Sequence, residues 1–310
     1  MKYSGFDPQL KLAMAPQFAA HMAGEKVYPI GIEISPSGVC QASCDFCFYA
    51  NTGELGNHRK VFLELQRSMG LLNECRKLGI KAVTWTGGGE PTLHPQFAAL
   101  VDWAFANEIQ QGLFTKALTW PQYDVTCLQW IRVTMTDKPY KVDCIKPLRA
   151  CKTLGFAFNY AGPQDDSYLF ETLGLAQHVQ ADYVQVRPAL KFHGETVDIA
   201  PPAFTHPLMQ VTEYKFEEAK VPHGTHYKTC EAYHVLTPFV WENADVDVCA
   251  YMRKHDGYRL GNLYKQSLKE ILDSAPASVP VHKNCQTCCK LHEANLMIHR
   301  AREVEDESFP

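Results

Sequence analysis

A chain of 310 residues, 46% of them hydrophobic, can bury one large core, with or without a smaller appendage, unaided by disulfides. Its formal charge of -4 leaves no broad basic footprint, which argues against extended duplex nucleic acid as a partner while leaving room for a small molecule or a nucleoside. No run of about 18 apolar residues occurs and the opening segment carries no secretory pattern, so no membrane partner is expected and the expected location is cytoplasmic.

From residue 28 onward, short apolar runs alternate with longer helical patterns, the signature of βα units building a parallel sheet. The first strand is expected at Tyr28 to Ile34, followed at once by Cys40, Cys44 and Cys47. Leu65, Met69, Leu72 and Cys75 then recur at helical spacing, and Gly79 sits where a helix C-terminus favours glycine. The second strand, Ile80 to Thr86, runs into Thr86-Gly87-Gly88-Gly89-Glu90-Pro91. Further strands are expected at Ile109 to Phe114, Cys127 to Met135, Gly155 to Tyr160 and Asp182 to Arg187. Helices over Pro95 to Asn107, Pro139 to Leu154 and about Asp165 to Val179 separate them, the first two opening on proline.

Six such units make an α/β fold, a partial (β/α)6 TIM-like barrel over residues 1–190. After Leu190 the rhythm breaks, and residues 191–310 read as a small cysteine-rich C-terminal extension. It holds a hairpin from His234 to Cys249, a short helix near Ser267 to Ser274, and a cysteine-bearing end.

In a reducing compartment the twelve cysteines read as metal ligands or reactive thiols where they cluster, and as small core residues where they stand alone. Cys75, Cys127, Cys144 and Cys151 are of the second kind. Cys40, Cys44 and Cys47 are of the first, with the spacing C-x3-C-x2-C in the loop at the C-terminal edge of a strand, where barrel active sites are built. An iron-sulfur cubane takes one ligand per iron, so three close cysteines without a fourth leave one iron open to an exogenous ligand. A structural zinc site is the alternative; it needs a fourth ligand, for which His58 is the near candidate in sequence.

The segment Cys40-Gln-Ala-Ser-Cys44-Asp-Phe46-Cys47 resembles the signature of the radical S-adenosylmethionine (SAM) superfamily. The resemblance implies a 4Fe-4S cluster on these three cysteines whose open iron chelates the amino and carboxylate groups of SAM. Phe46 would lie near the adenine. It further implies reductive cleavage of SAM to a 5'-deoxyadenosyl radical, with a flavodoxin- or ferredoxin-type electron donor as partner.

Glycines at a strand end let the backbone approach a ligand closely, and a carboxylate beside them can receive an ammonium group. Gly88-Gly89-Glu90 is similar to the family's GGE motif, which implies that these three hold the SAM amino group. Thr115-Lys116-Ala117 ends strand three where relatives often have Thr-Asn-Gly, so Thr115 matches and Lys116 departs. Arg132-Val-Thr134-Met-Thr136-Asp137 resembles a pattern in which a hydroxyl and an acid follow an Arg-Val pair, with Thr134 keeping the hydroxyl. Asn159 and Arg187 are polar groups at the ends of apolar runs, which costs free energy unless they find partners. Cofactor contact and strand-end capping would each satisfy them.

In the extension, Cys230, Cys249, Cys285 and Cys288 supply four thiolates, enough to close a second, auxiliary 4Fe-4S cluster, with Cys289 able to replace Cys288. Ala244, five residues before Cys249, and Leu260-Gly261-Asn262-Leu263 before a short helix resemble the SPASM and twitch extensions of the same superfamily. Those usually have Gly-x4-Cys at the first position. Zinc is the alternative here too, because His223, His226, His234, His282 and His292 lie near these cysteines.

The expected function is hydrogen abstraction from a small-molecule or modified-nucleoside substrate, leading to oxidation or isomerisation. A peptide-modifying SPASM maturase is an alternative, set lower because a leader-binding domain of about 80 residues has no room in the 27 residues before the first strand. A non-catalytic zinc or iron-sulfur protein is the other.

Overall fold

A computed structural model describes residues 8–42, 44, 47, 61–135, 140–190, 195–222, 224–283, 285 and 289–304. Six parallel strands stand in chain order: β1 (Gly31–Ile34), β2 (Ala82–Trp85), β3 (Gln110–Thr115), β4 (Trp130–Met135), β5 (Leu154–Tyr160) and β6 (Tyr183–Pro188). All six coincide with the segments expected from the sequence, with ends that differ by no more than three residues. A strand follows each helical stretch, which is the connection parallel pairing requires.

Alternation along the strands separates two faces. Ile32, Ile34, Val83, Trp85, Leu113, Ile131, Val133, Phe156, Val184 and Val186 join the main apolar core with the helices. Each such side chain, fully buried, contributes roughly 1.5–3 kcal/mol relative to exposure. The opposite face carries Glu33, Thr84, Phe114, Arg132, Thr134, Asn159 and Arg187, all only partly buried.

Two α-helices, α1 (Pro8–Ala13) and α2 (Pro16–Met22), precede the sheet. Helix α3 (Leu65–Lys77) buries Ser68, Leu71, Leu72 and Cys75 and stops at Gly79, whose φ of +76° is the left-handed conformation that ends helices. Helix α4 (Phe97–Ala106) buries Phe97, Leu100, Val101 and Ala104. The helix expected over Pro139 to Leu154 is corrected: α5 spans only Val142–Ile145 and passes into a 3-10 turn over Lys146–Ala150. Pro147 is the reason, since it lacks the amide hydrogen that an α-helix would use and its ring crowds the preceding turn. Helix α6 (Asp166–His178) matches its expected span.

The sheet does not end at residue 190. Strand β7 (Met209–Val211) pairs parallel with β6, and α7 (Glu213–Glu218) follows. After β8 (Thr229–Cys230), β9 (Phe239–Val240) pairs parallel with β1, forms the expected hairpin with β10 (Asp245–Asp247), and is extended by β11 (Arg259–Asn262). The result is a ten-stranded, mostly parallel sheet. Helix α8 (Leu268–Asp273) is held by a reciprocal cap between Ser267 and Glu270. Strand β12 (Val279–Pro280) pairs with β8, and α9 (His292–Arg302) closes the described chain. A second apolar cluster, including Leu12, Tyr233, Val248, Cys249, Leu291 and Ile298, ties α1, the hairpin and α9 together. Cys75, Cys127, Cys144 and Cys151 are buried, as expected of lone core thiols. No helix among the described residues is long and apolar enough to cross a membrane.

Candidate active site

The loop after β1 and the glycine loop after β2 are joined edge to edge. The amide of Gly89 donates to the Ser37 carbonyl (3.2 Å) and that of Glu90 to the Val39 carbonyl (2.7 Å), immediately before Cys40. A Cβ on Gly89 would stand 2.4 Å from the Ser37 oxygen and 2.5 Å from that of Val39, so only glycine permits this approach. The Gly88 amide donates to Ser35 Oγ (3.3 Å). The first cysteine is therefore positioned by the Gly-Gly-Gly segment through the backbone.

Glu90 is buried, and its carboxylate accepts from Thr92 Oγ1 (2.8 Å), the Thr92 amide (3.3 Å), Thr115 Oγ1 (2.7 Å) and the Lys116 amide (2.8 Å). Three of these fall on Oε1 and one on Oε2, which retains capacity for another donor. Glu90 thus welds the β2 loop to the end of β3. Thr115 also accepts from the Ala117 amide (2.9 Å), so its hydroxyl serves the same joint. Lys116 Nζ donates to the Thr134 carbonyl (3.0 Å), drawing the ends of β3 and β4 together. Asn159 and Arg187 are register partners on β5 and β6, and Arg187 Nε donates to Asn159 Oδ1 (2.7 Å).

His94 locks the far side of this loop pair. Its Nε2 bonds the Leu63 carbonyl (2.8 Å) and its Nδ1 accepts from the Gln96 amide (3.1 Å), which requires the neutral ring. Burial lowers its pKa below 6.5. A base with a depressed folded pKa stabilises above its unfolded pKa, and that stability is lost as pH falls, because the unfolded chain takes the proton that the fold refuses. The urea midpoint is accordingly expected to drop between pH 7 and pH 5, and to drop less in His94→Gln. An identical drop in the variant would remove His94 as the cause.

Cys40, Cys44 and Cys47 are half-buried. Burial pushes the Cys40 thiol up to about 11, and the Glu90 carboxylate and the Cys44 and Cys47 thiols add to the rise. A thiolate there is costly without a positive partner, and a metal cluster supplies one. Cys47 packs against Phe239, Trp241 and Ala250 of the hairpin region. Phe46 lies outside the described residues, as do His58 and Asp137.

A second thiol set forms in the C-terminal region. Burial pushes Cys230 and Cys285 each up to about 12 and raises Cys249 and Cys289, and each of Cys230, Cys249 and Cys285 is raised further by Cys289. Cys230, Cys249, Cys285 and Cys289 therefore share one buried neighbourhood; Cys288 and His223 lie outside the described residues. Asn295 Nδ2 donates to Cys230 Sγ (3.2 Å). Among the described residues no three Cys, His, Asp or Glu side chains stand so as to hold one metal ion. A cubane does not need them to, because each cysteine takes its own iron and the sulfurs do not converge on a point. The donor chemistry of both sets fits such a cluster.

Several residues that join the two regions carried no motif. Glu242 and Arg253 form a buried ion pair (2.7 Å), Arg253 lies 4.3 Å over the Trp241 ring, and Ser35 Oγ stands 3.4 Å from Glu242. This network runs from the Gly88 amide to the hairpin. Lys290, next to Cys289, pairs with Glu33 on the inner face of β1. Tyr251 is within electrostatic reach of Arg187, Cys249, Cys289 and Glu33. Ser35 and Ser37, small polar residues at a strand end just ahead of the cysteines, were the one signal the sequence offered for this network. Ala244, in the Gly-x4-Cys position, has φ +66°, the conformation for which glycine is favoured.

The same arrangement of strands is found in solved structures. SuiB of Streptococcus suis bound to the precursor peptide SuiA aligns over 89% of this chain and 72% of its own, with a TM-score of 0.60 at 15% identity. SuiB bound to S-adenosylmethionine aligns over 88% and 72%, with a TM-score of 0.56 at 16% identity. AdoMet-bound anSMEcpe aligns over 78% and 80%, with a TM-score of 0.50 at 13% identity. These proteins are radical SAM enzymes. The chain has the radical SAM fold. Within that fold the three-cysteine loop follows the first parallel strand, in agreement with the superfamily resemblance of the sequence. No protein-family model and no curated protein sequence matches the chain.

Proposed function

We propose that this protein is a radical SAM enzyme, in which Cys40, Cys44 and Cys47 would hold a 4Fe-4S cluster with one iron open to SAM. When bound, the cluster and SAM supply the 5'-deoxyadenosyl radical that abstracts hydrogen from the substrate. The observation that carries the reading is the backbone joint between the cysteine loop and Gly89-Glu90, on a sheet that matches SuiB in its fold.

The chain's own residues position the reactants. Gly88 and Gly89 bring the backbone against the cysteine loop, Glu90 keeps an acceptor for the SAM ammonium on Oε2, and Thr115 fixes that carboxylate. Thr134, half-buried on the inner face of β4, offers a hydroxyl to the cofactor. A flavodoxin- or ferredoxin-type protein is the proposed electron donor, and cytoplasmic location is the proposed setting. We keep the division near residue 190, with residues 191–310 as an extension holding the auxiliary cluster on Cys230, Cys249, Cys285 and either Cys288 or Cys289. That cluster would accept an electron from the substrate radical or orient the substrate.

The proposed substrate is a small molecule or modified nucleoside, oxidised or rearranged. The structure of SuiB with its precursor peptide favours a peptide as the second reading. Anaerobically purified protein is expected to hold about eight irons, as two cubanes require, and to release 5'-deoxyadenosine when given SAM and dithionite. Colourless protein containing only zinc would overturn the proposal, whereas about four irons with activity retained would remove the auxiliary cluster alone.

A further inference from the structure

The inner face of β4, β5 and β6 carries two arginines and no acid. Register sets Arg132 beside Gly155, Gly155 beside Tyr183, and Asn159 beside Arg187. The side chains between them in sequence, Ile131, Val133, Phe156, Phe158, Val184 and Val186, belong to the helix-covered core, so both arginines face the interior.

Gly155 and Gly112 make that interior aromatic. A Cβ on Gly155 would strike the Tyr183 ring and one on Gly112 the Trp130 indole, so each glycine's space is filled by a neighbour's ring. The Arg132 guanidinium lies 5.1 to 5.8 Å from the ring centres of Phe114, Trp130 and Tyr183, and its Nε donates to Tyr183 Oη (3.1 Å). It is a cation built into the floor.

Arg187 is two same-face positions higher, past Tyr183 and Gln185 on β6. Among the described residues it makes a single hydrogen bond, to Asn159, and no ion pair. The groups that act on its charge are Tyr251, Arg132 and Tyr214, two phenols and another cation, and burial presses its pKa below the ordinary arginine value. Glu33, which with Arg187 acts on Tyr251, is paired with Lys290.

A half-buried guanidinium without an anion is costly, and the Arg132 charge acting on it raises the cost. SAM does not relieve it. Its carboxylate would be taken up by the cluster that Cys40, Cys44 and Cys47 would hold, and its sulfonium adds another positive charge. The missing counter-charge therefore has to arrive with something else.

Resting on the radical SAM reading above, we infer that Arg187 binds an anionic group of the substrate, a carboxylate or phosphate, with Asn159 orienting the guanidinium and Arg132 reinforcing its field. Because Asn159 occupies Nε, the two terminal nitrogens remain as the fork that matches two oxygens of one acid group. The substrate is then an anion held against β6.

The test is calorimetric titration of the anaerobically reconstituted protein with sodium acetate and, separately, with inorganic phosphate. Both runs are made at constant ionic strength, with and without saturating SAM. One saturable site is expected for at least one of the two, still present with SAM bound; acetate alone identifies a carboxylate and phosphate alone a phosphate ester. Arg187→Gln is expected to weaken it about 10- to 100-fold, the usual range for a lost charged hydrogen bond, and Arg187→Lys less, while SAM affinity changes no more than about threefold. Asn159→Ala, which keeps the charge, checks the result should Arg187→Gln not fold: it should weaken the anion by a smaller factor and leave SAM unaffected. No saturable anion site, or a loss of SAM binding in place of anion binding, overturns the inference. Anion binding with no 5'-deoxyadenosine released would instead sink the radical chemistry and leave the site standing.

Discussion

Cys44→Ala protein is expected to release no 5'-deoxyadenosine above background from SAM and dithionite. With Cys44 gone the loop retains two thiols, one short of the three that would hold the cluster. The fold itself should survive. The loop is held by amides of Gly89 and Glu90 on carbonyls of Ser37 and Val39, so the urea midpoint should stay close to wild type. Cys230→Ala tests the other set, and it should lose iron yet keep some cofactor cleavage that is no longer coupled to product. A reversed ranking, with Cys230 essential for cleavage and Cys44 dispensable, would mean that the two thiol sets have exchanged roles.

Gly89→Ala is the second large effect, and it acts through shape alone. The added methyl would meet the Ser37 oxygen at 2.4 Å, the Val39 oxygen at 2.5 Å and the Gly38 carbonyl carbon at 2.7 Å. These are backbone atoms, which cannot rotate away as a side chain does. The two loops must separate, at a cost of about 1–3 kcal/mol for an overpacked site. Separation also moves Cys40, so iron content and cofactor cleavage should fall together. Gly70→Ala and Gly174→Ala are the controls: both glycines lie in helices with open space around the new methyl, and each replacement should stabilise by up to about 1 kcal/mol. Full iron loading and full cleavage in Gly89→Ala would show that the joint does not position the first cysteine.

The arrangement of the sheet was readable because its signals are local. Period-two burial in β1 and β4, the helical spacing of α3 and the left-handed Gly79 each depend on neighbours a few residues away. The failure over Pro139 to Leu154 was local as well. Pro147 sits in the middle of that span, and an interior proline breaks a helix that an opening proline would start.

What escaped the sequence was pairing between distant segments. Nothing local announces that Glu242 will meet Arg253 under Ser35, or that Lys290 will reach Glu33 across more than half the chain. The choice between adjacent Cys288 and Cys289 is of the same kind. Sequence spacing treats them alike; Cys289 shares the field of Cys230, Cys249 and Cys285, and Cys288 lies outside the described residues.

The sequence by itself determined the parallel sheet, the three-cysteine loop at its first strand end and the glycine loop at its second, because hydrophobic period, cysteine spacing and glycine all act over short stretches of chain. Only the tertiary structure decided where the polar side chains of those strands spend their hydrogen bonds. Glu90 and Thr115 spend theirs on the joint between β2 and β3, and Asn159 on Arg187. Arg187 keeps a charge that no described carboxylate answers. The physical reason is that a charge is satisfied by whatever the fold brings within about 4 Å of it, and that distance is fixed by strand register and packing, which no stretch of sequence contains.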